Sequence, residues 1–285
     1  MAKHIALLSC ICILISCTMR KPENGFAQLI KGDWLGQVTS EGFEHDQMEF
    51  LLFEDSTCRM PYDHDGYTYE ILEDTLYIRS MKNRRALPAV FPIVTLTKDS
   101  LVLLSGRKQQ NTTTYTRARL KNNITPAAIY FANPGCFNDD ACPVTYLEID
   151  SNRNVRYYSE PRGYKGKLSE SVYNSLIKRI RNLPVDSLKE YYSASRPGDE
   201  TLAVAIVHDN KVTHSLIYGH KAEPMELYML LTQLNNLDDK QIILQPDSSV
   251  TMEYFISNPV LKPIHNIMAS PPPAIRDFAS PKQQD

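Results

Sequence analysis

The sequence has no surplus of positive charge. Its 31 lysines and arginines stand against 33 aspartates and glutamates, a formal net charge of −2. No basic face is available to neutralise a phosphate backbone, so nucleic-acid binding loses its main driving force. Long apolar runs are missing as well. The most apolar stretch, Ile5 to Ile15 with Ser9 inside it, falls well short of the ~20 residues that cross a bilayer as a helix. Neither Gly-x-Ser-x-Gly nor His-Glu-x-x-His occurs, so no nucleophile elbow and no helix-borne zinc site declares itself. Catalytic groups can still converge from distant strands, which leaves a hydrolase without a recognisable motif as the lesser alternative. The expectation is a non-catalytic chain with no cofactor and no metal.

What the chain does have begins at Lys3, whose charge precedes the apolar run and is followed by Thr18, Arg20, Lys21 and Glu23. That layout is a secretory leader rather than a retained anchor. Leu14-Ile15-Ser16-Cys17 resembles the lipobox of bacterial lipoproteins. The resemblance implies cleavage after residue 16, acyl chains on Cys17 and attachment to a lipid membrane. Leu7-Leu8-Ser9-Cys10 has the same local pattern but only about five apolar residues before it, fewer than the roughly 7 to 15 of a signal core. Thr18 stands where the family's inner-membrane retention signal usually has aspartate, so the resemblance implies the outer membrane. Residues 17–27 are then a lipidated tether.

From Gly32 to Leu120 short segments of alternating polarity recur at intervals of roughly ten residues, the pattern of an antiparallel all-β domain. Gly32 to Gly36, Gln47 to Phe53, Tyr67 to Ile71, Leu76 to Ile78, Phe91 to Leu96, Leu101 to Leu104 and Thr113 to Arg119 are its strands. Alternation predicts Met48, Phe50 and Leu52 on one face, and about eight strands suffice to close a barrel. Gly32-x-Trp34 on the first strand and Tyr115-x-Arg117 on the last resemble the two ends of a small lipocalin-like domain spanning 28–120. In that family a tryptophan packs under an arginine that closes the barrel, a role open here to Arg117 or Arg119. A barrel of this kind could hold a small apolar ligand against Trp34, Met48, Phe50, Tyr67 and Tyr69, or be packed solid.

The texture changes after Lys121-Asn122-Asn123, a polar linker assigned to 121–128. Residues 169–183 place Val172, Leu176, Ile180 and Leu183 at helical spacing, and Leu227, Leu230, Leu231, Leu234 and Leu237 form a second apolar stripe after Glu223-Pro224. Strands are expected at Val144 to Ile149, Asn154 to Tyr158, Leu202 to Val207, Val212 to Ile217 and Val250 to Ile256. The reading for 129–256 is an α+β domain, two amphipathic helices packed on a mainly antiparallel sheet. Cys136, Cys142-Pro143-Val144, Gly166, Asp199 and the Pro224 helix follow one another in an order that resembles a domain of bacterial envelope lipoproteins with no established activity. The resemblance departs at Asn152-Arg153-Asn154, where that family usually has an Asp-Gly turn. Six prolines between Pro259 and Pro281 suggest a disordered tail over 257–285.

Three local features invite chemistry. The five-residue loop between Cys136 and Cys142 is read as a disulfide, since an exported chain meets an oxidising compartment. Redox catalysis would prefer Cys-x-x-Cys, and a metal would need more ligands than Asp139 and Asp140. His208, His214 and His220 recur around a hairpin, but a two-residue turn at Asp209-Asn210 puts His208 and His214 on opposite sheet faces. Asp63-His64-Asp65-Gly66 reads as a turn. Tyr157, Tyr158, Tyr191 and Tyr192 are candidate exposed aromatics for a protein partner. The function expected is therefore a tethered lipoprotein that binds an envelope protein partner or a small ligand, with carriage of a small apolar ligand in the barrel as the alternative.

Overall fold

The computed structural model describes residues 25–36, 50–60, 66–83, 85–105, 111–134, 144–193, 201–218, 223–237 and 242–269. The chain divides into two compact units, Met1–Arg117 and Ala118–Asp285.

In the first unit a one-turn helix α1 (Gly25–Leu29) precedes eight strands. They are β1 (Gly32–Gly36), β2 (Phe50–Phe53), β3 (Thr57–Arg59), β4 (Tyr67–Leu72), β5 (Thr75–Ser80), β6 (Ala89–Leu96), β7 (Ser100–Ser105) and β8 (Asn111–Arg117). Each pairs antiparallel with the next, and β8 returns to β1 through Trp34 opposite Arg117, so the sheet is a closed barrel. Closure removes the free edges that an open sheet of these strands would expose.

The inward set is one contiguous cluster containing Trp34, Leu51, Phe53, Cys58, Ile71, Leu76, Ile78, Ile93, Leu96, Leu101, Leu103 and Tyr115. Leu51 and Phe53, rather than Phe50 and Leu52, are the inward residues of β2, because Leu51 lies opposite Trp34. All four β2 residues are buried. A strand buried on both faces carries no polarity alternation, so the pattern misassigned the lining face. Met48 lies outside the described residues.

The second unit is a single eight-stranded sheet flanked by helices. Its elements are β9 (Ala128–Asn133), β10 (Thr145–Asp150), β11 (Asn154–Ser159), β12 (Arg162–Leu168), α2 (Glu170–Asn182), β13 (Tyr191–Ser193), β14 (Thr201–His208), β15 (Lys211–Tyr218), α3 (Met225–Asn235), β16 (Ile242–Pro246), α4 (Met252–Ile256) and α5 (Lys262–Ala269). The strand order is β13-β15-β14-β9-β10-β11-β12-β16, antiparallel except for β13 beside β15. Helices α2 and α3 cover one face and bury Leu176, Ile180, Leu227, Leu230, Leu231 and Leu234 against Ile129, Phe131, Leu147, Ile149, Val204 and Ile206. Ser169 caps α2 by accepting from Val172 N, satisfying one of its free amide donors.

The turn at Ser151-Asn152 lacks the glycine of an Asp-Gly hairpin, yet the hairpin forms. Asp150 Oδ1 accepts from the amides of Asn152 and Asn154 at 2.8 Å each, and Arg153 takes the positive φ of 70°. Two expectations need correction. The segment 121–128 is no free linker: the amides of Lys121 and Asn122 donate to Arg181 O, and Asn122 Nδ2 donates to the carbonyls of Ile180 and Leu183. It thereby satisfies the terminal carbonyls of α2. Residues 250–256 are no strand and 257–269 no loose tail, since α4 and α5 occupy them. Thr251 caps α4 by accepting from Tyr254 N, and Pro263 sits in the first turn of α5, where proline is tolerated. The later prolines lie outside the described residues.

Candidate functional site

The barrel end is built around Arg117. Its guanidinium carbon lies 4.3 Å from the Trp34 ring centroid, a cation over an indole face. The same group donates to the carbonyls of Leu29, Lys31 and Lys98, so it holds the C-terminal end of α1, where a cation is favourable, and the β6–β7 turn together. Trp34 Nε1 donates to Ile30 O at 2.6 Å. Gly32 has φ +127°, and a Cβ there would stand 2.6 Å from Arg117 Nη1; only glycine fits both demands. Burial draws the Arg117 guanidinium below its ordinary value, while the carboxylates of Asp99 and Asp33 favour the cation. Arg119 lies beyond the last strand and is exposed.

Inside the barrel, Trp34, Leu76, Leu101, Leu103, Cys58 and Tyr115 have no exposed surface. Tyr67 and Tyr69 are half-buried at the edge of this cluster, with Tyr69 edge-on to Phe53 at 4.9 Å. Phe50 is buried but outside the inward cluster, so the five candidate lining residues do not converge: Trp34, Tyr67 and Tyr69 share the interior, Phe50 does not, and Met48 lies outside the described residues. Two further groups lie in the interior, Cys58 and Tyr115. Burial pushes up both the Cys58 thiol and the Tyr115 phenol, and the Tyr115 hydroxyl has no hydrogen-bond partner among the described residues. Cys58 is a buried free thiol with little thiolate character and hence little reactivity.

In the second unit the sheet face opposite α2 and α3 carries a trough of small side chains, Ala132, Ala203 and Ala205, set between Leu216 and His214 on one side and Tyr146, Tyr158 and Tyr130 on the other. The register of β15, β14, β9, β10 and β11 puts all of them on that face. The segment from Val250 to Ile267 fills it: Val250, Phe255, Leu261 and Ile264 are buried there. Phe255 stacks on Tyr146 with ring centroids 5.3 Å apart. Polar contacts fix the register. Tyr254 donates to Glu148 Oε2 at 2.6 Å, Arg156 donates to Glu148 Oε1 at 2.8 Å, and His214 Nε2 donates to Val260 O at 2.7 Å. Burial, reinforced by the Glu148 carboxylate, raises the Tyr254 phenol to about 12. Glu148, in the middle of an apolar strand, was the one signal in the sequence that a polar partner must come from elsewhere.

The four tyrosines expected to form an exposed cluster are split instead. Tyr157 and Tyr192 pack on the helix-covered face and Tyr158 and Tyr191 on the other, with Tyr158 and Tyr192 buried. His208 and His214 face opposite sides of the sheet through the Asp209-Asn210 turn, in which both residues have positive φ. Among the described residues no three His, Cys, Asp or Glu side chains are grouped to hold a metal, and no helix is long and apolar enough to cross a membrane. Cys17, Asp63 to Asp65, Cys136, Asp139, Asp140, Cys142, Asp199 and His220 lie outside the described residues.

Together the two units define a class: a lipocalin-like eight-stranded antiparallel barrel followed by an α+β domain on one wide sheet. Residues 127–238 of the second unit match the model of a domain of unknown function (DUF6438). No curated protein and no solved structure matches the chain.

Proposed function

We propose that this chain is an exported lipoprotein, anchored by acyl chains on Cys17, whose folded units bind an envelope protein without catalysing a reaction. The carrying observation concerns the barrel interior. Trp34, Leu76, Leu101, Leu103 and Tyr115 belong to one buried cluster with no exposed surface, which favours a barrel packed with its own side chains, a scaffold rather than a carrier. Supporting it, the leader, the lipobox resemblance and Thr18 favour the outer membrane, and several buried acyl chains make detachment slow. A Cys136–Cys142 disulfide fits the oxidising compartment of this reading. The alternative, a small apolar ligand in the barrel, draws support from the partnerless Tyr115 hydroxyl, which a ligand acceptor could satisfy.

The test is fractionation of cells carrying the wild-type chain or Cys17→Ser, followed by photo-crosslinking and native mass spectrometry of the gently extracted protein. The expected result is wild type in the membrane, the variant released, no small molecule carried by the barrel and a discrete crosslinked envelope protein. Retention of the variant would refute the anchor, and a stoichiometric apolar small molecule would replace the partner reading with the carrier.

A further inference from the structure

The match to the family model ends at residue 238, yet the domain has two apolar sheet faces and its own helices α2 and α3 cover only one of them. An apolar face of this size does not remain in water. In this chain it is covered by residues 250–269, which come after the matched region.

The contacts of that segment resemble those of a bound peptide more than those of a core layer. It leaves the sheet edge at Asp247, whose carboxylate is held near 2 by hydrogen bonds from Ser249 and Lys165, and whose amide donates to Gly163 O. It crosses Gly163 so closely that a Cβ there would lie 1.7 Å from Val250 O. Two short helices, α4 and α5, and the turn between them then present three side chains with no exposed surface, Phe255 from α4, Leu261 from the turn and Ile264 from α5, to the trough lined by Ala132, Ala203 and Ala205. Few buried anchors over a groove of small residues, flanked by aromatics, is the helix-in-groove mode of peptide recognition. The polar contacts also run between segment and face: Tyr254 to Glu148, His214 to the Val260 carbonyl, and Asn258 to the Tyr130 hydroxyl.

We propose that the second sheet face of the α+β domain is a peptide-binding groove, and that residues 250–269 are its built-in ligand, held in place until a helical segment of the same chemistry from a partner displaces it. Such a partner segment carries an aromatic anchor followed six and nine residues later by aliphatic ones, with a hydroxyl donor beside the aromatic for Glu148. The proposal rests, for the partner's existence, on the interaction-module reading; the groove itself does not.

The test uses the full mature chain in detergent and a fluorescein-labelled synthetic peptide of residues 248–269, read by fluorescence anisotropy. The wild-type chain, its groove filled, is expected not to take up the peptide. Phe255→Ala/Ile264→Ala, which weakens the built-in ligand and leaves the groove intact, is expected to bind it. A peptide carrying the same two alanines should bind about 30-fold more weakly, as loss of anchor residues does. A folded variant that fails to bind the peptide would overturn the proposal. If the variant unfolds, hydrogen exchange on the wild-type chain decides. Amides of 252–269 exchanging at least about tenfold faster than those of the central strands support a detachable ligand, and exchange in one step with the sheet makes the segment ordinary core and overturns it. Peptide binding without any crosslinked envelope protein would sink the functional reading and leave the groove standing; the reverse would do the opposite.

Discussion

Replacing Arg117 with methionine keeps the length of the stem and removes the guanidinium from the barrel's closing end. Its hydrogen bonds to the Leu29 and Lys98 carbonyls lie at exposed positions, whereas that to Lys31 is partly buried. Water can replace the first two, each then contributing a few tenths of a kcal/mol, while the third costs about 1 kcal/mol. Loss of the contact over Trp34 adds about 0.5 to 1 kcal/mol. The total is about 2 kcal/mol, which for a barrel of this size lowers the melting temperature by about 8 to 16 °C. Trp34 is the sole tryptophan of the chain, so its fluorescence during urea or thermal unfolding reports the barrel alone. A double-mutant cycle with Trp34→Phe, followed by circular dichroism, should return a coupling of about 0.5 to 1 kcal/mol. A loss below about 0.5 kcal/mol for Arg117→Met, or zero coupling, would refute the view that the cation joins α1, β1 and β8.

Two further outcomes follow from buried groups. Cys58 has no exposed surface and burial raises its thiol, so a maleimide reagent should leave it untouched in the native chain. In denaturant without reductant Cys58 should be labelled, and Cys136 and Cys142 only after reduction; early labelling of Cys136 excludes the bridge. The second outcome concerns His265, which rests beside Tyr146 with its backbone-bonded partner Phe255. Burial lowers its pKa from the ordinary 6.5. The fold therefore favours the neutral imidazole: docking of 252–269 is at full strength above pH ~6.5 and weakens as the pH falls from there through the lowered value. Hydrogen exchange of that segment, corrected for intrinsic rates between pH 7.5 and 5, should show falling protection that His265→Asn abolishes. Protection independent of pH would count against the assignment.

The sequence by itself determined the elements whose two faces meet different solvents. Alternation located β4, β5, β7 and β8 because one side is wet, and the stripe of α2 was legible because that helix buries one side on the sheet. The Trp34 position, and Arg117 as one of two candidates for its partner, were legible through the resemblance to small lipocalin-like domains; the structure sets Arg117, not Arg119, opposite the indole. Tertiary structure alone decided what lies between two buried surfaces. In β2 and β9 nearly every residue is buried, so no polarity pattern says which face Phe50 or Leu51 takes. Proline count pointed to disorder after Ser257, but proline in the first helical turn costs little, and the driving force for α4 and α5 comes from a trough contributed by strands more than 30 residues away in the chain. That force is tertiary packing, invisible to any window along the sequence, and it turns the supposed tail into the cover of a sheet face.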